Sequence, residues 1–428
     1  MKSAYDILKE RGFVEQVTDE ALIRELFDAG SVTCYIGFDP TATSLHIGSL
    51  IPIMSLAHMQ RNGNKPIALV GGGTGLIGDP SGKTEMRQIL TREQIDYNAS
   101  CLGKQLSQYL DFSDNKAMML NNADWLTTIN YIEFLRDIGR HFSVNRMLAA
   151  ESYRIRMEKG LNFIEFNYML LQAYDFLYLF QNHGCTLQMG GNDQWGNMLA
   201  GTELIRKVAG KDSHAITFPL ITTSLGQKMG KTEKGTVWLD GKLTSPYEYY
   251  QYWVNSDDAD VERFLKLFTF LPLDEISIVK KLTDSRLNMA KAVLAFEATK
   301  ITHGAAEAEA AWRASMEAFH SRPVDADMFP SSTIPRSAPA MDTSAIPRYG
   351  ISRMDLEAGI PILACCAKSG LTQSSSEARR LIEQGGIYIS EHQVKTINEK
   401  ITLADFAGGK ELRLRKGKKK YLIVEIKD

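Results

Sequence analysis

Two lysines three residues apart, Lys228 and Lys231 in the run KMGKT, set point charges on a glycine-containing loop. Such a loop suits a departing polyphosphate, which needs cations most as charge develops on it. Far upstream, YIGFDPTATSLHIGS runs from Tyr35 to Ser49. It places an aromatic (Tyr35) and an acid (Asp39) near a strand end, then Thr41, then His46 opening a helix. Beside His46, Gly48 lets a flat ring lie against the backbone. A lone histidine is usually structural; the second basic loop downstream is what gives His46 a chemical partner.

Three further segments carry polar groups where chemistry needs them. GGGTGLIGDPSGKT, residues 71–84, follows a β-like run and is rich in glycine, as a backbone that closely approaches an anion requires. Gly73, Gly75 and Gly78 match the spacing of a dinucleotide fingerprint, but Asp79-Pro80-Ser81-Gly82 is a turn sequence where an unbroken helix should start. Gly82-Lys83-Thr84 matches the end of a nucleotide-hydrolase phosphate loop, but Ile77 stands where that pattern needs glycine. A glycine-rich turn without a ligand is the plain alternative. Lys83 and Arg87 lie at i, i+4, either on phosphate or as a solvated face.

In FIEFNYMLLQAYDFLYLF, Tyr168, Gln172 and Asp175 fall on one face of an otherwise apolar helix. Burying them is costly unless they pair, so the stripe is an internal polar network or one wall of a ligand site. After the strand-like TLQM, the turn Gly190-Gly191-Asn192-Asp193-Gln194 sets a carboxylate where a ribose diol could donate to it; an ordinary Asn-Asp turn is the alternative.

HIGS and KMGKT together resemble the HIGH and KMSKS signatures of class I aminoacyl-tRNA synthetases. GFDPTATSLHIG, ALVGGGTGLIGDPSGK, FLRDIGRHFSVNRML, LLQAYDFL, LQMGGNDQWGN and KMGKT look like successive segments of bacterial tyrosyl-tRNA synthetases, and the resemblance covers nearly the whole chain. It implies a ligase that activates tyrosine with ATP to tyrosyl-adenylate and pyrophosphate, then transfers tyrosine to the 3' end of tRNA-Tyr. By the same resemblance Tyr35 and Asp175 would bond the substrate hydroxyl. Asp79, Tyr168 and Gln172 would hold the α-ammonium, and Gln188 and Gln194 would line the tyrosyl end. Asp39, Gly48, Gly191, Asp193 and Lys231 would contact ATP, and Thr41, His46, Lys83, Arg87, Lys228 and Lys231 would stabilise the transferring phosphate. ATP enters as substrate with Mg²⁺, and no protein-held metal is expected. Asp175 must be ionised to ask for a phenol.

Two departures stand out: Ser49 replaces the last histidine of the first signature, and Gly230 and Thr232 depart from the second. Serine still donates but is shorter and never cationic, so more weight falls on His46; both lysines remain. The rivals are a synthetase-like RNA-binding protein without activity, a nicotinamide oxidoreductase resting on the glycine spacing, and a tryptophan-specific ligase, which the Tyr35/Asp175 pair disfavours.

The elements that must position these groups are also legible. The 428 residues, 44% hydrophobic and 23% charged with net charge -2, exclude a disordered or wholly basic chain and suggest several domains. Five cysteines without a C-x-x-C pair, no membrane-length apolar run and an acidic N-terminus suggest a cytoplasmic protein without a membrane partner. Strand-like runs alternating with amphipathic stretches point to a Rossmann-like α/β domain with a mainly parallel sheet over 1–222. By resemblance, an insertion near 120–165 forms a homodimer contact. A helical domain follows over 223–322, then a linker over 323–358 in which Pro323, Pro330, Pro335, Pro339 and Pro347 cluster. The end, 359–428, is read as a small α+β domain. Its basic final strands and SSSEARRLIEQGGIYIS resemble a ribosomal RNA-binding module, with Arg379, Arg380, Lys418, Lys419 and Lys420 as the RNA contacts.

Overall fold

A computed structural model describes residues 2–79, 90–149, 153–154, 157, 160–220, 222–224, 226, 229–232, 235–319, 322–337, 346–390, 392–417 and 420–427. The chain separates into two compact units, one of residues 1–231, 236–244 and 262–277, the other of residues 232–235, 245–261 and 278–428.

The first unit is built on a six-stranded sheet: β1 (Gln16–Val17), β2 (Thr33–Phe38), β3 (Lys65–Val70), β4 (Met118–Asn121), β5 (Leu187–Gly191) and β6 (His214–Phe218). The order is β1-β6-β5-β2-β3-β4, and only the β1–β6 pair is antiparallel. Strands covered on both faces must be apolar throughout rather than alternating. Accordingly Cys34, Tyr35 and Ile36 are consecutive and all buried, as are Ile67 to Val70. Chain order reverses between β2 and β5, and a crevice opens beyond their C-terminal ends, where open α/β sheets bind ligands. The first signature segment leaves β2 at the centre of the sheet, and the second follows β6, one strand in from the edge.

The helices begin where the sequence supplies caps. Thr91 and Gln94 form a capping box for the helix Arg92–Leu106, and Asn130 caps Tyr131–Asp137. The long helix Phe163–His183 starts at an Asn162/Glu165 box and stops at Gly184, whose φ of 62° is left-handed.

Helix α1 (Ala4–Arg11), α2 (Glu20–Asp28) and α3 (Leu50–Arg61) pack on the same unit. There Arg11 donates to the carbonyls of Lys266, Thr269 and Leu271. Next to it His58 is buried between the edges of Phe13 and Phe270, and its Nε2 has no partner among the described residues. Burial, then the charges of Arg11 and Arg61, push its pKa well below the usual histidine value. Below about pH 6.5 the unfolded chain therefore binds a proton that the fold refuses, so the stability His58 contributes is present above that pH and lost as pH falls, at about 1.4 kcal/mol per pH unit. Denaturant melts at pH 7 and pH 5 should show His58→Gln losing less stability on acidification than the parent; equal losses would contradict this placement.

In the second unit the helices Pro246–Val254, Asp284–His303 and Ala305–Phe319 form a bundle. Tyr249 Oη and Thr302 Oγ1 lie 2.9 Å apart, and Gln251 Nε2 donates to Ser315 Oγ at 2.9 Å, two buried polar contacts within the bundle. Residues 322–337 contain neither helix nor strand, yet Val324, Met328, Phe329 and Ile334 are buried. Ser332 and the Thr333 amide bond Glu297 of the bundle, and Arg336 ties the carbonyls of Asp325, Met328 and Phe329.

The terminal sheet runs His392–Gln393, Ile387–Ile389, Glu411–Lys416, Lys420–Lys427 and Arg348–Ser352, the last pair parallel. Its core gathers Leu356, Ile362, Cys366, Leu371, Ile382, Leu414 and Val424. Among the described residues, no helix is long and apolar enough to cross a membrane.

Candidate active site

A cavity of about 440 Å³ lies at the β2/β5 reversal, entirely within the first unit. Of the residues singled out in the sequence, Tyr35, Asp39, Asp79, Tyr168, Gln172, Asp175, Gln188, Gly191, Asp193 and Gln194 all line it. The stripe on Phe163–His183 is therefore a cavity wall.

At the deep end, Asp175 is 2% exposed and accepts from Asn122 Nδ2 at 2.9 Å and Trp125 Nε1 at 2.8 Å. Burial lifts its pKa to about 7 against those two donors, with the charge of Asp39 adding slightly. In the free protein the carboxyl is thus balanced between its two forms near neutrality, where the sequence reading requires the ionised one. Across the same end, Tyr35 Oη is buried and has no hydrogen-bond partner among the described residues, and burial and then the Asp175 charge hold its pKa well above the usual phenol value. Gln188 Oε1 is likewise unpartnered among them. Buried polar atoms left so are costly unless something else pairs with them. A phenol entering here would donate to Asp175 and accept from Tyr35.

The opposite end is a web of carboxylates and amides. Gln194 Nε2 donates to Asp79 Oδ2 at 2.7 Å and to Asp193 Oδ2 at 3.1 Å, and Tyr168 Oη to Asp39 Oδ1 at 3.5 Å. Acceptors dominate, so a cation such as an ammonium fits.

Sequence reasoning missed Asn122, Trp125 and Thr74. Asn122 Oδ1 accepts the amides of Gly73 and Thr74 while its Nδ2 reaches Thr74 Oγ1 and Asp175, so one side chain joins the glycine loop to the carboxylate. The Asn121-Asn122 pair at the C-terminal end of β4 was the available signal. The glycine loop itself forms a short 3-10 turn at Thr74–Leu76 rather than a helix, which leaves the dinucleotide reading without the helix N-terminus it needs.

Thr41 and His46 are exposed, Gly48 is exposed and Ser49 half-buried, all on the segment leading into α3. The His46 ring stands edge-on to Trp238, 6.3 Å between centroids, and the two residues form a β-bridge. Gly230, with φ 82°, faces Gly48: a Cβ there would lie 3.4 Å from the Gly48 amide nitrogen. At Gly48 a Cβ would meet the His46 ring at 2.7 and 2.9 Å. The backbones of the two signatures are in contact. Ser49 makes no side-chain cap on α3. Lys83, Arg87 and Lys228 lie outside the described residues, as does the side chain of Lys231.

In the terminal region Arg379 and Arg380 are exposed on the helix Ser375–Glu383. Lys420 turns inward, donating to the carbonyls of Gly370 and Leu371 at 2.7 and 2.5 Å. Lys418 and Lys419 lie outside the described residues.

Residues 28–320 match the family of class I tRNA synthetases (W and Y), and residues 344–424 match the tyrosine–tRNA ligase SYY-like C-terminal domain. The chain is 65% identical to a tyrosine–tRNA ligase of Syntrophus aciditrophicus over 100% of its length and 99% of the relative's, and 55% identical to one of Desulfosudis oleivorans over 99% of each. Among solved structures, a C-terminally truncated mitochondrial tyrosyl-tRNA synthetase of Aspergillus nidulans superposes with a TM-score of 0.68 at 32% identity, covering 74% of this chain and 95% of that one. By these matches over its whole length, the chain belongs to the class I tRNA synthetases (W and Y) and, within them, to the tyrosine–tRNA ligases.

Proposed function

We infer that this chain joins tyrosine to tRNA-Tyr in two steps, with ATP as the activating substrate. The observation that carries the reading is the pairing of Asp175 with the unpartnered Tyr35 hydroxyl at one end of a cavity whose other end presents Asp79, Tyr168 and Gln172. The spacing suits an amino acid with a phenol at one end and an ammonium at the other. In the first step the tyrosine carboxylate attacks the α-phosphorus of ATP and pyrophosphate leaves. A carboxylate is already a nucleophile, so rate comes from alignment and from stabilising the departing charge. Thr41, His46, Lys83, Arg87, Lys228 and Lys231 serve that charge, while Asp39, Gly48, Gly191 and Asp193 seat the nucleotide and Gln188 the tyrosyl end. Mg²⁺ arrives with the ATP phosphates as part of the substrate. In the second step a ribose hydroxyl of the terminal tRNA adenosine takes the tyrosyl group from the adenylate.

Exposed Arg379 and Arg380 support an RNA contact by the terminal domain, to which Lys418 and Lys419 are proposed to add; the inward bonds of Lys420 favour a structural role for that lysine. Exposed Tyr131, Ile132, Val144, Phe163 and Ile164 form an apolar set on the insertion and the start of the long helix, which supports a homodimer.

The test is ATP–pyrophosphate exchange without tRNA, with tyrosine, phenylalanine or tryptophan. Exchange with tyrosine alone is expected. No exchange with any amino acid, while RNA still binds, would replace this reading with that of an inactive RNA-binding relative.

A further inference from the structure

The ammonium end of the cavity owes its polarity to a residue behind it. Asn197, on the helix Trp195–Ala209, is 3% exposed and does not line the cavity. Its Nδ2 donates to Gln172 Oε1 at 3.0 Å and to Gln194 Oε1 at 3.2 Å. Gln194 Nε2 in turn donates to Asp79 and Asp193. The direction of this chain is forced. Two carboxylates can only accept, so Gln194 must turn its NH₂ to them and its oxygen away. That oxygen then needs a donor, which Asn197 supplies, and the second hydrogen of the same NH₂ fixes the oxygen of Gln172 toward it.

We propose that Asn197 is a positioning residue for the amino-acid substrate: it sets the amide orientations of Gln172 and Gln194, so that Gln172 keeps an acceptor oxygen, with a second lone pair, at the ammonium end. The proposal rests on the reading of this cavity as the tyrosine site. Without the Asn197 donors both glutamine oxygens lose a buried partner, and nothing holds Gln172 against rotation into a donor-first orientation that repels a cation. The reaction centre at the phosphate is untouched, so the loss should fall on tyrosine binding rather than on turnover.

The experiment is steady-state exchange on the full chain with Asn197→Ala, Gln172→Ala and the double variant, varying tyrosine and ATP separately. Asn197→Ala should raise the tyrosine KM roughly tenfold, the equivalent of about 1.4 kcal/mol for the loss of its part-buried bonds to Gln172 and Gln194. The kcat and the ATP KM should move far less. In the Gln172→Ala background the effect of Asn197→Ala on the tyrosine KM should shrink, because the residue it acts through is gone. Asn197→Ser, which keeps a single donor, should fall between the parent and Asn197→Ala, and it serves as the test variant should the alanine chain not fold. Additive effects of the two alanine substitutions, or equal rises in the tyrosine and ATP KM, would overturn the proposal. Absence of tyrosine-dependent exchange in the parent chain would instead remove the reading of the cavity, and the proposal with it.

Discussion

Replacing Asp175 by asparagine should narrow the preference for tyrosine over phenylalanine by roughly 10- to 150-fold, the range given by about 1.5–3 kcal/mol for a hydrogen bond to a charged group. On the proposed reading the carboxylate accepts from the substrate phenol, and it already takes the Asn122 and Trp125 donors. An amide in its place must turn an NH₂ toward at least one of these donors. Phenylalanine, which asks for no acceptor, loses less. The pH dependence adds a second signature. Since burial lifts the Asp175 pKa to about 7 and the ionised form is the stronger acceptor for a phenol, kcat/KM for tyrosine should rise with pH through about 7. The asparagine variant should lack that rise.

Stability runs the other way. A carboxyl whose folded pKa is raised gives stability that is complete below its unfolded value of about 3.9 and lost as pH rises through the folded value. The melting temperature of Asp175→Asn relative to the parent should therefore improve between pH 5 and pH 8, a buried charge having been removed. A parent profile flat in pH, or a melting difference that does not change between those two pH values, would contradict the placement of this carboxyl.

What the sequence made legible follows from what is local. The apolar strand-like runs and the i, i+4, i+7 stripe of Tyr168, Gln172 and Asp175 are patterns within one element, and the structure uses them directly. Trp125 and Asn122 could not be read in that way. Each reaches Asp175 across about 50 residues of sequence, and although the Asn121-Asn122 pair marks polar residues at a strand end, nothing in MMLNNADWL names their partner on another helix. The web at the ammonium end has the same origin: Asp79 and Gln194 meet only because β3 and β5 flank β2 in the sheet order. Charge runs were the least informative. Lys420 sits in a basic cluster and yet spends its amine on the carbonyls of Gly370 and Leu371, a choice set by tertiary packing rather than by composition.

Removal of the His46 side chain should lower the kcat of tyrosine-dependent exchange by roughly 10²–10³, the cost of losing one donor aimed at developing charge. His46 does not line the tyrosine cavity, so the tyrosine KM should stay close to that of the parent. The contact between the two signatures supplies an independent route to the same loss. Gly230 holds φ 82° and leaves 3.4 Å between a notional Cβ and the Gly48 amide, so the backbone at Gly230 stands directly against the segment that bears His46. Valine at this position meets both constraints at once. A side chain in left-handed backbone costs about 1–2 kcal/mol, and its branches would press on Ile47 and Gly48. The chain can relieve this only by moving the loop away from His46, so Gly230→Val should reproduce the kcat loss of His46→Ala with the tyrosine KM again preserved. Gly230→Ala, which adds only the tolerable 3.4 Å contact and the backbone cost, should fall between. Were Gly230→Val to raise the tyrosine KM while leaving kcat intact, the two signatures would be acting on the amino acid rather than on the departing phosphate, and the division of labour between the cavity and the signature contact would have to be redrawn.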